Sequence, residues 1–216
     1  LRARFIALLH RLVECLMGHI LRYLPAALEA LMHSQVDAAD MVDVLNLLVQ
    51  LVLRFKEALA GLMEALLPPV AAQVHCLLGA DWDWSGQLAG PAPVTQATAN
   101  SSTVSSTSQG QQQDQRLQVA ATLEDVREKG ELQRAYYSLL HAIAHNNLTQ
   151  VLMRSNAQVL DMELTAVTRG AATHVDPTVR KTCLQVSCCI WSVNLQMASA
   201  PSGAFLTVVL GQEASA

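Results

Sequence analysis

The chain has 216 residues, 51% hydrophobic but only 4% aromatic, and a formal net charge of −4 from 14 basic and 18 acidic residues. A length of this order holds one or two domains, and a core of Leu, Ala, Val and Met is made mostly of helix formers rather than sheet formers. The acidic balance gives no support for a general nucleic-acid binder, which carries a basic face, and no uninterrupted apolar run reaches the ~18 residues of a membrane span.

The chain opens Leu1-Arg2-Ala3-Arg4, without an initiator Met or a cleavable signal sequence, and reads as the cut end of something longer. Residues 2–24 place Phe5, Leu9, Leu12, Leu16 and Ile20 on one helix face, with Arg4, Arg11 and Glu14 off it. Pro25 ends that pattern or starts a new helix with Leu28, Leu31 and Met32 as its buried set. Asp37 is a capping candidate for the next helix. From Met41 to Phe55 nearly everything is apolar except Asp43, Asn46, Gln50 and Arg54, continued by Glu57. A helix wet along one thin strip is packed on most sides by neighbours, as in a repeat stack.

Residues 55–67 continue helical, with a bend, and are expected to stop at Pro68-Pro69; 70–78 then begin another helix. Leu24-Pro25 and Leu67-Pro68 each introduce an Ala-rich helix start, at a separation within the ~40–47 residues of HEAT and armadillo units. From 79 to 114 Ser, Thr, Gln, Gly and Ala dominate without periodicity, so a disordered insertion is expected there. Helical pattern returns over 116–146, with a break expected at Gly130 and a stripe of Leu132, Tyr136, Leu139, Leu140 and Ile143. A short helical piece, 148–153, and a helix over 156–173 follow.

The stretch 175–193 is the most legible. Asp176 is an N-cap and Pro177 occupies the first helical position. Val179, Cys183, Val186, Ile190 and Val193 form one apolar stripe, with Arg180 and Lys181 off it. An Asp-x-x-Val-Arg opening of this kind looks like the second helix of a HEAT-type hairpin. The fold class expected is all-α, a HEAT-repeat solenoid fragment with a long disordered insertion. Its parts are residues 1–78 and 115–196 as helical repeats, 79–114 as the insertion and 197–216 as an irregular tail.

Candidate chemistry is sparse. His141 and His145 are spaced for one metal, but the Glu of the zinc-protease motif is missing and a site needs further ligands; an ordinary helix-surface pair is the plainer reading. Cys15, Cys76, Cys183, Cys188 and Cys189 are odd in number and lie within apolar helical patterns, so they read as buried, reduced thiols of a cytosolic or nuclear protein. Trp82 and Trp84 are isolated aromatics in the insertion, available as partner anchors or without a role. Asn100 and Asn147 open glycosylation-type triplets, discounted for a chain that does not read as secreted. No phosphate-cradling Gly loop or Ser nucleophile elbow occurs, so neither enzyme activity nor a cofactor or metal is expected. Arg180 has two readings: it bonds Asp176 or a neighbouring turn acid as part of a structural ladder, or it touches phosphate together with Lys181.

Three segments together resemble one family. Leu9-His10-Arg11-Leu12-Val13-Glu14-Cys15-Leu16 followed by Tyr23-Leu24-Pro25-Ala26-Ala27-Leu28, then Met41-Val42-Asp43 through Phe55-Lys56, are similar to consecutive helices of exportin-T, of the plant and algal type. Glu131-Leu132-Gln133-Arg134-Ala135-Tyr136-Tyr137 and Val179-Arg180-Lys181-Thr182-Cys183-Leu184 resemble later blocks in the same order. The resemblance covers most of 8–78 and 124–187; the longer insertion and everything after about Ile190 depart from it. It implies a nuclear export receptor of the karyopherin superfamily that binds tRNA together with the Ran GTPase in its GTP form, meets nucleoporins, and shuttles between nucleus and cytoplasm without entering a membrane. The Ran-holding repeats are expected to lie outside this slice. Carried over position by position, the matched basic residues are Arg134, Arg180 and Lys181 as candidate tRNA contacts. The alternative is a HEAT scaffold that binds only protein partners.

Overall fold

A computed structural model of the chain describes residues 2–32, 36–79, 82–83, 87–88, 109–154 and 157–199, with side chains over 2–32, 36–79, 124–154 and 159–193. Eight α-helices follow one another among the described residues: α1 (Arg2–Leu16), α2 (Leu24–Met32), α3 (Ala38–Phe55), α4 (Ala60–Leu78), α5 (Gln109–His145), α6 (Thr149–Arg154), α7 (Ala157–Thr173) and α8 (Pro177–Ser199). Two-residue strands, β1 (Trp82–Asp83) and β2 (Gln87–Leu88), pair antiparallel within the stretch expected to lack regular structure. The fold is all-α in its packing: a HEAT-like stack of helical hairpins.

The stack has two rows. In the first, α1 packs on α3, α3 on α5 and α5 on α8; in the second, α2 packs on α4 and α4 on α6, while α7 lies along α8. Side chains that bridge neighbours in a row come from residues 38 to 42 apart: Arg2 to Asp40, His10 to Gln50, Gln73 to the Met32 carbonyl, and Arg134 to Asp176. That near-constant offset is the repeat, close to the period expected from the two Leu-Pro starts. Where the first-row helices α1, α3 and α5 end, each following turn carries one non-glycine residue at positive φ: Met17 at 50°, Lys56 at 46° and Asn147 at 62°.

Helix α3 shows why the rows form. Met41, Val44, Leu45, Leu47, Leu48, Leu51 and Val52 are buried while Asp43, Asn46, Gln50, Arg54 and Glu57 are exposed, which is the narrow wet strip expected. Asp37 caps this helix, accepting the Asp40 N–H at 2.7 Å. In α8 four of the five residues of the predicted stripe, Val179, Cys183, Val186 and Ile190, are buried, and the fifth, Val193, is half-buried.

Several boundaries differ from expectation. α4 runs through Pro68-Pro69 instead of stopping there. The two missing N–H groups cost hydrogen bonds, but Leu66, Leu67, Val70, Ala71 and Val74 are all buried, and ending the helix would expose that face. α5 is likewise continuous through Gly130, where a side chain would meet nothing within 4 Å. An i,i+4 ion pair, Arg127–Glu131 at 3.3 Å, spans that glycine, and a second, Asp125–Lys129 at 3.1 Å, lies in the turn before it. α5 also begins at Gln109, ahead of the expected start and inside 79–114.

In the first segment the helix ends at Leu16 and a 3₁₀ turn, Met17–Arg22, follows. The buried face of α1 is Ile6, Leu9 and Val13, with Leu12 partly covered, whereas Phe5 and Leu16 are exposed. Residues 200–216 of the expected tail lie outside the described residues.

Candidate nucleic-acid interface

The junction of α5, α7 and α8 carries the largest set of buried polar groups among the described residues. Tyr136 and Tyr137 of α5 are both fully buried. Tyr136 donates its phenol to the buried carboxylate of Glu163 on α7, and His75 of α4 approaches the same carboxylate at 3.6 Å. Tyr137 donates to the Ala166 carbonyl at 2.9 Å and lies edge-on to His174 at 6.5 Å between ring centres. Burial, with the Glu163 charge behind it, pushes the Tyr136 phenol well above its ordinary range, so it remains a donor.

Above this layer sits the α7–α8 turn. His174 is buried, and its Nδ1 accepts the Asp176 N–H at 3.0 Å, so the ring is neutral with its proton on Nε2. Asp176 caps α8 as expected, its Oδ1 accepting the Thr178 N–H at 2.8 Å. Its other oxygen, Oδ2, accepts from Arg134 Nη2 at 3.3 Å. The Thr178 hydrogen bond, with Arg134 assisting, holds the Asp176 carboxyl below its ordinary range. Burial lowers the His174 pKa. Asp176 pulls it upward, but Arg134 and Arg180, both within electrostatic reach, oppose that, and the net shift is down.

The structure therefore brings Arg134 and Arg180 to one corner. Arg134 is 58% exposed at its side chain, and Arg180 and Lys181 are exposed. Arg180 does not make the side-chain bond to Asp176 that the ladder reading allowed; only its backbone N–H bonds the Asp176 carbonyl, at 3.1 Å, and Arg134 of α5 takes the carboxylate instead. Lys181 lies about 100° around α8 from Arg180. By helical spacing it shares the exposed strip of Leu184, Cys188 and Trp191. Residue spacing could not show that His174 buttresses this corner: the only trace is a His two positions before the N-cap.

The other candidates resolve plainly. His141 and His145 stack in parallel at 5.6 Å, and no group of three or more His, Cys, Asp or Glu suited to a metal exists among the described residues. Only Cys183 is buried, its thiol pushed up to about 12 by burial; Cys15, Cys76 and Cys188 are exposed and Cys189 is half-buried, contrary to the expectation for all five. Cys15, Cys76 and Cys188 sit on outward faces of α1, α4 and α8, while Cys189 packs partly against the core. Asn147 is an exposed turn residue, while Trp84 and Asn100 lie outside the described residues, as does the Trp82 side chain. An open groove of about 380 Å³ between the starts of α4 and α6 is bordered by Glu57 and the Arg154–Glu64 pair. Glu57 makes it a poor seat for a polyanion. Among the described residues no helix is long and apolar enough to cross a membrane.

The family model Exportin-T matches residues 2–83. Exportin-T of Arabidopsis thaliana is 30% identical over 187 residues, and that of Oryza sativa subsp. japonica 29% over 188, each alignment covering 86% of this chain and 16% of the relative. Exportin-T of Homo sapiens is 24% identical over 183 residues, covering 85% of this chain and 15% of the relative. No solved structure matches the chain. The chain thus spans about one-sixth of the length of the relatives it matches, and over that span both comparisons find it similar to exportin-T.

Proposed function

We propose that the chain is part of a nuclear export receptor that carries tRNA from nucleus to cytoplasm together with the Ran GTPase in its GTP form, and that it contributes structure and phosphate contacts rather than catalysis. The observation that carries this reading is the collinear match to exportin-T over 86% of the chain. The exposed corner of Arg134 and Arg180, with Lys181 beside it, supports a phosphate-contacting role. Guanidinium groups on rigid helices suit backbone recognition, which positions a nucleic acid without reading its sequence. Shuttling through the pore, and contact there with nucleoporins, follow from the same reading.

The test is tRNA binding over a salt series, with and without RanGTP. Phosphate contacts make affinity fall steeply with salt, by a log–log slope of about −0.7 to −0.9 per neutralised phosphate. Absence of binding in either Ran state would sink the reading. Lys181→Glu is expected to weaken tRNA binding with helix content unchanged by circular dichroism; loss of helix would mark the position as structural.

A protein-only scaffold is the second reading. The net charge of −4 and the uncovered apolar strips of α1 and α8 favour it, and salt-insensitive binding to proteins alone would support it.

A further inference from the structure

The corner that holds Arg134 and Arg180 also holds an anion. We propose that Asp176 is a charge brake on this surface: its carboxylate occupies Arg134 and so weakens the grip of the Arg134–Arg180 pair on nucleic-acid phosphate. The inference rests on the tRNA reading above and names the residue that sets the strength of that contact.

Three observations carry it. First, the carboxylate has two separate jobs, one per oxygen. Oδ1 caps α8 through the Thr178 N–H at 2.8 Å, and Oδ2 receives Arg134 at 3.3 Å. The capping job needs no charge, since Asn and Ser cap as well as Asp. What the negative charge adds beyond the cap is attraction to the α8 N-terminus and to the neighbouring cations, of which Arg134 is in direct contact. Second, the pair lies at the surface. The Arg134 side chain is 58% exposed against 28% for Asp176, so a guanidinium released from the carboxylate is already open to a ligand. Third, Arg180 and Lys181 are exposed and make no ion pair among the described residues, so Arg134 is the one matched basic position whose charge is locally cancelled.

The other groups facing the corner do not substitute for this control. His174 beneath it is buried and neutral, its Nδ1 occupied by the Asp176 N–H, and Tyr137 is committed to the Ala166 carbonyl. A phosphate approaching Arg134 meets one fixed carboxylate and must displace it or share the guanidinium with it. Neutralising that carboxylate while keeping the cap leaves Arg134 free to neutralise one more phosphate.

The experiment measures binding of an unmodified tRNA transcript to the whole 216-residue chain across a salt series, for the native protein, Asp176→Asn, Asp176→Ser, Arg134→Gln and the Asp176→Asn/Arg134→Gln double variant. Both Asp176 variants are expected to bind about two- to fivefold more tightly at low salt, the scale of one exposed ion pair. Their salt slope should steepen by about one-phosphate equivalent. Arg134→Gln in the Asp176→Asn background should remove that gain, and circular dichroism should show unchanged helix content. If native protein binds tRNA while neither Asp176 variant changes affinity or slope, the brake is refuted and the tRNA reading stands. If the native chain binds no tRNA at any salt concentration, its phosphate-contacting role fails and takes the brake with it. Tighter binding that survives Arg134→Gln would also refute it, because the gain would then be a general charge effect.

Discussion

Gly170 stands where α7 packs directly against Tyr137 of α5 and Cys183 of α8. A Cβ there would lie 2.6 Å from Tyr137 Oη and 2.9 Å from Cys183 Sγ. Tyr137 is fully buried and tied to the Ala166 carbonyl, so it has nowhere to retreat. Gly170→Ala is expected to destabilise the chain by about 1–3 kcal/mol, the usual cost of overpacking, as a lower urea midpoint. His174 makes a second prediction at this scale. Its folded pKa lies below the ordinary 6.5, so the unfolded chain binds the proton more readily. Stability contributed by the neutral ring is therefore complete above 6.5 and is lost as pH falls through the depressed folded value. His141 shifts the same way, through burial and then His145. His174→Asn should accordingly flatten, not abolish, the fall in urea midpoint on acidification. Neither contact was legible beforehand. A glycine in a helical run and a His before a cap look ordinary until three helices converge on them.

Among the helices, local signals and packing carried different weight. Asp37 and Asp176 were readable as caps because the cap is made within three residues of the capping side chain, and both are seen. Asp37→Ala is expected to cost about 1 kcal/mol, read as a lower thermal midpoint with the α3 core otherwise intact. The stops expected at Pro68-Pro69 and Gly130 did not occur: the buried face around the prolines keeps α4 helical, and the Arg127–Glu131 pair spans Gly130 in α5. The face of α1 was misread for a related reason. Phe5, Leu8 and Leu16 make an apolar strip of their own, and periodicity cannot choose between two such strips when only one meets α3.

Taken as a whole, the stack leaves apolar surface uncovered at both ends. α1 exposes Phe5, Leu8 and Leu16; α8 exposes Leu184 at 55% and Trp191 at 68%. Terminal units of a helical stack need polar outer faces to remain soluble alone. The isolated chain is expected to self-associate with rising concentration in sedimentation velocity, and Leu184→Lys with Trp191→Lys should suppress this while leaving the thermal midpoint nearly unchanged. A strictly monomeric native chain at all concentrations would contradict it. Such strips are the same kind of surface that α3 buries against α1 and α5, so the inner helix serves as the reference for the outer two.

Helix identity, the two caps, the α8 stripe and the thin polar strip of α3 were determined by the sequence alone, because each depends on residues within a few turns of one another. The family resemblance was also there to read, being a matter of residue order. Only the tertiary structure decided which apolar strip of α1 is inside, that α4 and α5 run through their breakers, and that Arg134 rather than Arg180 holds the Asp176 carboxylate. Apart from Gly130, which a local ion pair spans, each of those outcomes is an exchange between segments about forty or more residues apart, where one helix's choice of face or partner is settled by the helix laid against it.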